Sequence, residues 1–278
     1  MFWKIALAML AFAANSVLCR LALVGQHIDP MSFTTLRVSS GAVVLMLLFL
    51  SRPHRHKIEW NWLHAVFLAV YMLAFSIAYL KIDAGVGALL LFGTVQLSMV
   101  LYAVWRGERV SLPRGIGLVL AFAGIVFLLL PGAQAPDLKY SLVMILSGLA
   151  WGAYSIVGQR NRDPLSSSLA NFLLAVPLVL ISTVLLNMDR YFDVQGIVLA
   201  ILSGGLASSG AYVLWYAIVK KIDRVTASTV QLSVPCLAIL GGTWLIGESV
   251  NLRTIMATVM VLLGIWLVII ALAKPARV

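Results

Sequence analysis

Gly107-Glu108-Arg109-Val110-Ser111-Leu112 and Gly247-Glu248-Ser249-Val250-Asn251-Leu252 stand 140 residues apart and carry nearly the same message. The same offset pairs Lys81-Ile82-Asp83 with Lys221-Ile222-Asp223, and Gly124-Ile125 with Gly264-Ile265. Matches that share one offset over tens of residues point to a duplicated unit. Each unit holds five long apolar segments, an odd number, so equivalent helices cross a bilayer in opposite directions. The pattern predicts an all-α integral membrane protein of ten transmembrane helices, built as two inverted five-helix repeats over residues 1–131 and 139–278. Inverted repeats are the usual build of a secondary transporter, with the site where the halves meet.

Composition agrees. With 62% hydrophobic and 11% charged residues, the chain lies far from a soluble globular domain. Apolar runs long enough to span about 30 Å of hydrocarbon fall near 5–24, 31–50, 62–80, 84–105, 112–130, 140–158, 166–186, 194–218, 225–246 and 252–272. The first carries Asn15, Cys19 and Arg20 and is read as a retained helix rather than a cleaved signal. Fourteen Lys and Arg fall on the amino-terminal side of the predicted bilayer and four on the other, with Arg20 and Arg37 inside helices. The positive-inside rule then puts both termini in the cytoplasm, in a bacterial inner membrane. Basic loops that set orientation account for the net charge of +10, so no nucleic-acid partner is implied. Cys19 and Cys236 sit in separate helices with no second cysteine near, which suggests neither a disulfide framework nor a zinc site.

The repeated hairpin has a mechanical reading. Gly107 and Gly247 follow helices 4 and 9, where a residue without Cβ can take the left-handed turn that ends a helix. Ser111 and Asn251 can cap the next helix, with Pro113 tolerated in its first turn. Glu108 and Glu248 are expected near those helix starts, where the dipole favours negative charge. A competing self-match, Thr94 to Ser98 against Thr229 to Ser233, is offset by 135; the 140 register is preferred because it is anchored on both sides.

Polar residues near the midplane are costly there and tend to face a cavity or a neighbouring helix. Asn15, Tyr71, Gln96, Trp151, Tyr154, Ser208, Tyr212 and Gln231 are such residues. For the two amides Asn15 and Gln96, cavity lining and interhelical bonding both stay open. Gly148 and Gly152, with Gly204 and Gly205, read as close-packing positions, and Pro177 and Pro235 as sites of kinks. Arg37 lies about 10 Å into helix 2, with no carboxylate at comparable depth. Either it faces the pathway and meets an anionic group of the substrate, or it bonds carbonyls at broken helix ends. Arg20, nearer the helix end, is expected to snorkel. No midmembrane Asp, Glu or His offers a proton or sodium relay, and no Walker loop or hydrolase motif is present. A catalytic function is not expected.

With two five-helix repeats, each ending in a Gly-Glu hairpin followed by a helix carrying Gly-Ile, and with Trp151-Gly152 and Arg37, the whole chain resembles the drug/metabolite transporter superfamily, in particular its EamA-like ten-helix carriers. One departure is Phe12-Ala13-Ala14-Asn15, where the family usually shows Trp-Gly in the first repeat. The resemblance implies a central cavity lined mainly by helices 1, 3, 4, 6, 8 and 9, in a carrier that exports or exchanges amino acids or similar small metabolites. The substrate-binding residues expected are Arg37, Asn15, Gln96, Trp151, Tyr154, Tyr212 and Gln231. The expected partners are a small-molecule substrate and the lipid bilayer, in a monomer or homodimer, with no cofactor or metal. A drug or nucleotide-type anion carrier, an integral-membrane enzyme and a receptor-like binding protein are the alternatives.

Overall fold

Apolar composition and capping chemistry together fix the helices. The computed structural model describes residues 2–53, 57–58, 60–107, 111–158, 163–187, 189–219 and 230–273. The first repeat contains α1 (Phe2–Val24), α2 (Pro30–Leu50), α3 (Trp62–Ala78), α4 (Ala84–Trp105) and α5 (Leu112–Leu129). The second contains α6 (Leu138–Gly158), α7 (Pro164–Leu185), α8 (194–219), α9 (Ser233–Ile246) and α10 (Leu252–Ala273). Eight of these are long and apolar enough to cross a membrane, and α3 and α9 are shorter apolar helices. Residues 108–110, 160 and 221–229, which include Glu108 and the Lys221-Ile222-Asp223 match, lie outside the described residues.

Helix starts follow from side chains that accept otherwise orphaned N–H groups. Asp29 accepts from Met31 and Ser32 ahead of α2, and Asn61 accepts from Leu63 and His64 ahead of α3. Asp163 and Asp193 do the same for α7 and α8. Asn251 caps α10 through the Thr254 N–H at 2.8 Å, as expected, whereas Ser111 makes no side-chain cap bond.

The pairing of helices is its own image when the repeats are exchanged. The α3–α6 contact is matched by α8–α1, and α4–α6 by α9–α1, while α2 pairs with α7 and α5 with α10. That is the arrangement of two inverted five-helix repeats about a two-fold axis. Gly124 and Gly264 both lie in the α5–α10 crossing, Gly124 against Met260 and Val261 and Gly264 against Gly117 and Ala121. A Cβ at Gly264 would press on the Gly117 and Ala121 backbone, and Ile125 and Ile265 are both buried. Gly148 and Gly152 let α6 lie against Thr94 and Ser98 of α4, and Gly204 lets α8 lie on the Arg37 carbonyl, so these glycines are packing positions.

α8 changes winding midway. Val194–Leu202 and Ala211–Val219 are α-helical, but Ser203–Gly210 is wound as a π-helix. α9 ends likewise, with Gly242–Ile246 in π form before Gly247 turns left-handed at φ +78°. The two prolines differ. α7 runs unbroken through Pro177, while the helix leading into α9 is interrupted at Leu232, one turn ahead of Pro235, as expected where proline removes a bond to the preceding turn.

Candidate functional site

A cavity of about 430 Å³ lies between the two repeats, near the middle of the helices. Volumes of this order hold small-molecule ligands. Its first-repeat walls are Phe12, Asn15 and Ser16 of α1, Tyr71 and Phe75 of α3, and an apolar face of α4. From the second come Trp151, Tyr154 and Ser155 of α6, Ser167 and Ser168 of α7, and Ser208, Tyr212 and Trp215 of α8, with Gln231 just ahead of α9. Aromatic rings dominate. Trp151 stacks on Tyr154 with centroids 5.2 Å apart and on Tyr212 at 5.2 Å, and packs against Tyr71 at 4.8 Å. Asn171 donates to the Tyr154 hydroxyl at 3.2 Å and holds that ring in place.

The deep wall is polar, and the winding of α8 builds it. Ser203 and Ser208 are five residues apart, which in an α-helix would turn them about 140° from each other; in the wider π turn both reach one side chain. Ser203 donates to Asn15 Oδ1 at 2.6 Å and Ser208 lies 3.5 Å from the same oxygen. Arg37, fully buried, donates from Nε to the Ser208 hydroxyl at 3.2 Å and from Nη2 to the Tyr71 hydroxyl at 3.0 Å. Its guanidinium also lies over the Phe75 ring at 4.7 Å and the Tyr71 ring at 5.4 Å, in cation–π reach. Nη1 has no hydrogen-bond partner among the described residues.

The cavity runs from this wall to the Gly158 end of α6 and the Pro164 start of α7. There Arg52 pairs with Asp163 at 3.0 Å. Burial pushes the Asp163 carboxyl up, but the Ser166 hydroxyl and Arg52 outweigh it and hold it below the usual carboxylate range. The opposite end is shut. Arg20 does not snorkel: its Nε donates to Glu248 at 3.0 Å and its Nη1 to the Tyr79 and Leu80 carbonyls at 2.9 and 3.1 Å, which end α3. Asp83 lies 3.6 Å from Arg20. Glu248 is likewise not at the start of α10; its carboxylate accepts the Ala84 N–H at 2.9 Å and so caps α4. The helix dipole that favours its charge is that of α4, brought to it by tertiary packing. Burial, with Asp83 nearby, raises the Glu248 carboxyl above its ordinary range against the lowering effect of the Ala84 N–H and Arg20.

Of the residues singled out in the sequence, Asn15, Trp151, Tyr154, Tyr212 and Gln231 line the cavity together. Arg37 stands one layer behind Tyr71, Phe75 and Ser208, bonded to side chains rather than to helix-end carbonyls. Gln96 is half-buried and outside the lining set, because α4 turns its Leu91, Val95 and Met99 face inward. Phe12, Trp215 and the serines of α7 were not anticipated; α7 adds a wall that the expected set of lining helices lacks. Among the described residues no group of three or more His, Cys, Asp or Glu is placed to hold a metal ion.

Known proteins agree with this architecture. A protein of Pseudomonas aeruginosa described only as uncharacterized is 46% identical over 273 residues, covering 98% of this chain and 95% of that one. An uncharacterized transporter of Archaeoglobus fulgidus is 24% identical over 88% of this chain and 90% of its own length. The uncharacterized transporter YoaV of Bacillus subtilis is 23% identical, covering 88% and 89%. A crystal structure of a protein 19% identical superposes with a TM-score of 0.69 over 98% of both chains, which supports the fold. The model of the EamA-like transporter family matches residues 2–130 and again 138–270. This multi-pass membrane protein belongs to the EamA-like transporter family, each half of the chain matching the family on its own.

Proposed function

We propose that the chain is a secondary transporter of a bacterial inner membrane that moves small metabolites such as amino acids by exposing one central cavity to each face in turn. The observation that carries this reading is the cavity itself: both repeats build it, it reaches one end of the bundle, and Arg20 with Glu248 closes the other. Inverted repeats that rock about a central site give alternating access. With fourteen basic residues on one side and four on the other, both termini are cytoplasmic and the cavity extends toward the cytoplasm. A single chain supplies every described wall, so the reading requires no second copy.

The test is flux. Purified protein in sealed proteoliposomes, loaded with an unlabelled amino-acid mixture, should take up labelled members of that mixture by exchange, and protein-free vesicles should not. The experiment is repeated with mixtures of nucleotides and of lipophilic drugs, which separates the carriers of other cargo. A protein that binds solutes from these mixtures yet moves none is a receptor or an enzyme, and the transport reading then fails. Orientation is tested in intact cells with single cysteines in a Cys-free background: an impermeant maleimide should reach position 27 and miss position 55. The reverse pattern overturns the topology.

A further inference from the structure

The donors and acceptors on the deep wall of the cavity set what a ligand must bring. The acceptor oxygen of Asn15 is already taken by Ser203 and Ser208. Those two contacts are the side-chain hydrogen bonds of Asn15 among the described residues, so its amide N–H groups are left for a ligand, in a residue only 6% exposed. The Tyr71 hydroxyl accepts from Arg37, which leaves its own hydrogen to be donated, and no acceptor for it occurs among the described residues. Ser208 likewise accepts from Arg37 and keeps only a long contact of 3.5 Å to Asn15 for its hydrogen. The wall is therefore rich in free donors and poor in free acceptors.

Charge points the same way. Arg37 is always protonated and fully buried, and among the described residues it bonds only to neutral hydroxyls, with Nη1 unpartnered. Among the described residues no Asp or Glu lines the cavity. An uncompensated cation behind a wall of donors, in surroundings that screen poorly, attracts an anion and polarises the Tyr71 and Ser208 hydroxyls toward it. The stacked rings of Trp151, Tyr154 and Tyr212 offer flat apolar surface for the remainder of the ligand. Aromatic faces alone would also suit a cation, but Arg37 opposes one.

We propose that Asn15, Tyr71 and Ser208 form a subsite for a carboxylate, charged from behind by Arg37, so that the cargo is an organic acid or amino acid with an apolar body. This rests on reading the central cavity as the cargo site. Arg37 is a positioning residue: it fixes two hydroxyls and supplies the field, and the substrate touches the side chains in front of it.

The experiment is equilibrium dialysis of purified protein in lipid nanodiscs against labelled phenylpropionate, phenylpropionamide and phenylpropylamine, which share ring and chain and differ in the head group. The parent should bind the acid roughly tenfold or more tighter than the amide, and the amine least. Tyr71→Phe removes one donor and should weaken the acid several-fold with little effect on the amide. Asn15→Asp places a negative charge on the wall and should invert the order, with the amine bound best. Arg37→Gln should bring acid and amide to within about threefold. If that variant does not purify as a monodisperse species, the Tyr71 and Asn15 variants still decide. A parent that binds none of the three, that binds the amide as well as the acid, or that prefers the amine overturns the proposal. Binding needs no flux, so acid selectivity without exchange in vesicles would refute transport while leaving the subsite standing.

Discussion

Gly107 and Gly247 hold φ of +91° and +78°, and among the described residues nothing lies within 4 Å of where a Cβ would be at either. A side chain there meets no neighbour and pays only for the left-handed backbone, about 1–2 kcal/mol. Gly107→Ala and Gly247→Ala should therefore lower the thermal midpoint of the purified protein by similar amounts, without changing ligand preference. Unequal losses would mean that the two hairpins are not equivalent. Asp163 gives a prediction with a pH sign. Its carboxyl is held below the usual range in the folded protein, chiefly by Ser166 and Arg52 against burial. Its contribution is thus present above the ordinary carboxylate range and is lost as the pH falls through the folded value. With Arg52 partly exposed, capping and pairing together are worth roughly 1 kcal/mol. Parent protein should lose thermal stability on acidification faster than Asp163→Asn, as followed by tryptophan fluorescence. At this scale the sequence was most readable where one residue type answers one cost. The turn glycines follow from backbone sterics, and Asn15, Trp151 and Tyr154 from polarity at mid-depth. Gln96 met the same criterion, yet one residue along α4 is a 100° rotation, and only packing decides which face turns inward.

The two π-wound segments and the glycine crossing show what whole elements add. Ser203–Gly210 holds three glycines and three serines, which in sequence reads as a close-packing stripe. Its π winding brings its hydroxyls to Asn15 of α1 and Arg37 of α2. No local pattern announces it, and so Arg37 could not be given its bonding partners before the fold was known. The Gly-Ile match, in contrast, was legible as a marker of repetition, and the structure supplies its reason. At Gly264 a Cβ would stand 2.6 Å from the Gly117 carbonyl oxygen and 2.9 Å from the Ala121 Cα. Both obstacles include backbone, which cannot swing aside as a side chain can, so α5 and α10 must separate. Gly205 offers a control, because its Cβ would meet only Val44 Cγ2 at 3.2 Å. Gly264→Ala should sharply reduce folded protein in the membrane, by a few kcal/mol in overpacking terms, while Gly205→Ala stays near parental abundance. Equal abundance of the two variants, judged by fluorescence-detected size exclusion, would contradict the tight crossing.

Across the whole molecule, the closed end is a joint among α1, α3, α4 and α9, with Arg20 and Glu248 at its centre. Glu248 binds the α4 amino terminus and Arg20 at once, so this end cannot open around α1 without giving up at least one of those contacts. Removing one partner of a buried ion pair costs about 3–5 kcal/mol in the state that contains it. Gln at 248 keeps an oxygen for Ala84 and should cost less, while still shifting the balance toward the state in which this end is open. Ala88 of α4 is fully buried, one helical turn inward from Ala84, so a single cysteine there, in a Cys19- and Cys236-free background, reports the opening. Glu248→Gln should raise its maleimide labelling roughly tenfold over the unsubstituted background at the same pH. The 140-residue register sets Glu108, Arg160 and Asp223 against Glu248, Arg20 and Asp83 in sequence, though these three lie outside the described residues. If the repeats exchange roles during transport, Glu108→Gln should move the same reporter the other way and slow its labelling. Two variants that shift Ala88→Cys labelling in the same direction would show that the duplicated Gly-Glu hairpins do not serve opposite ends of one cycle.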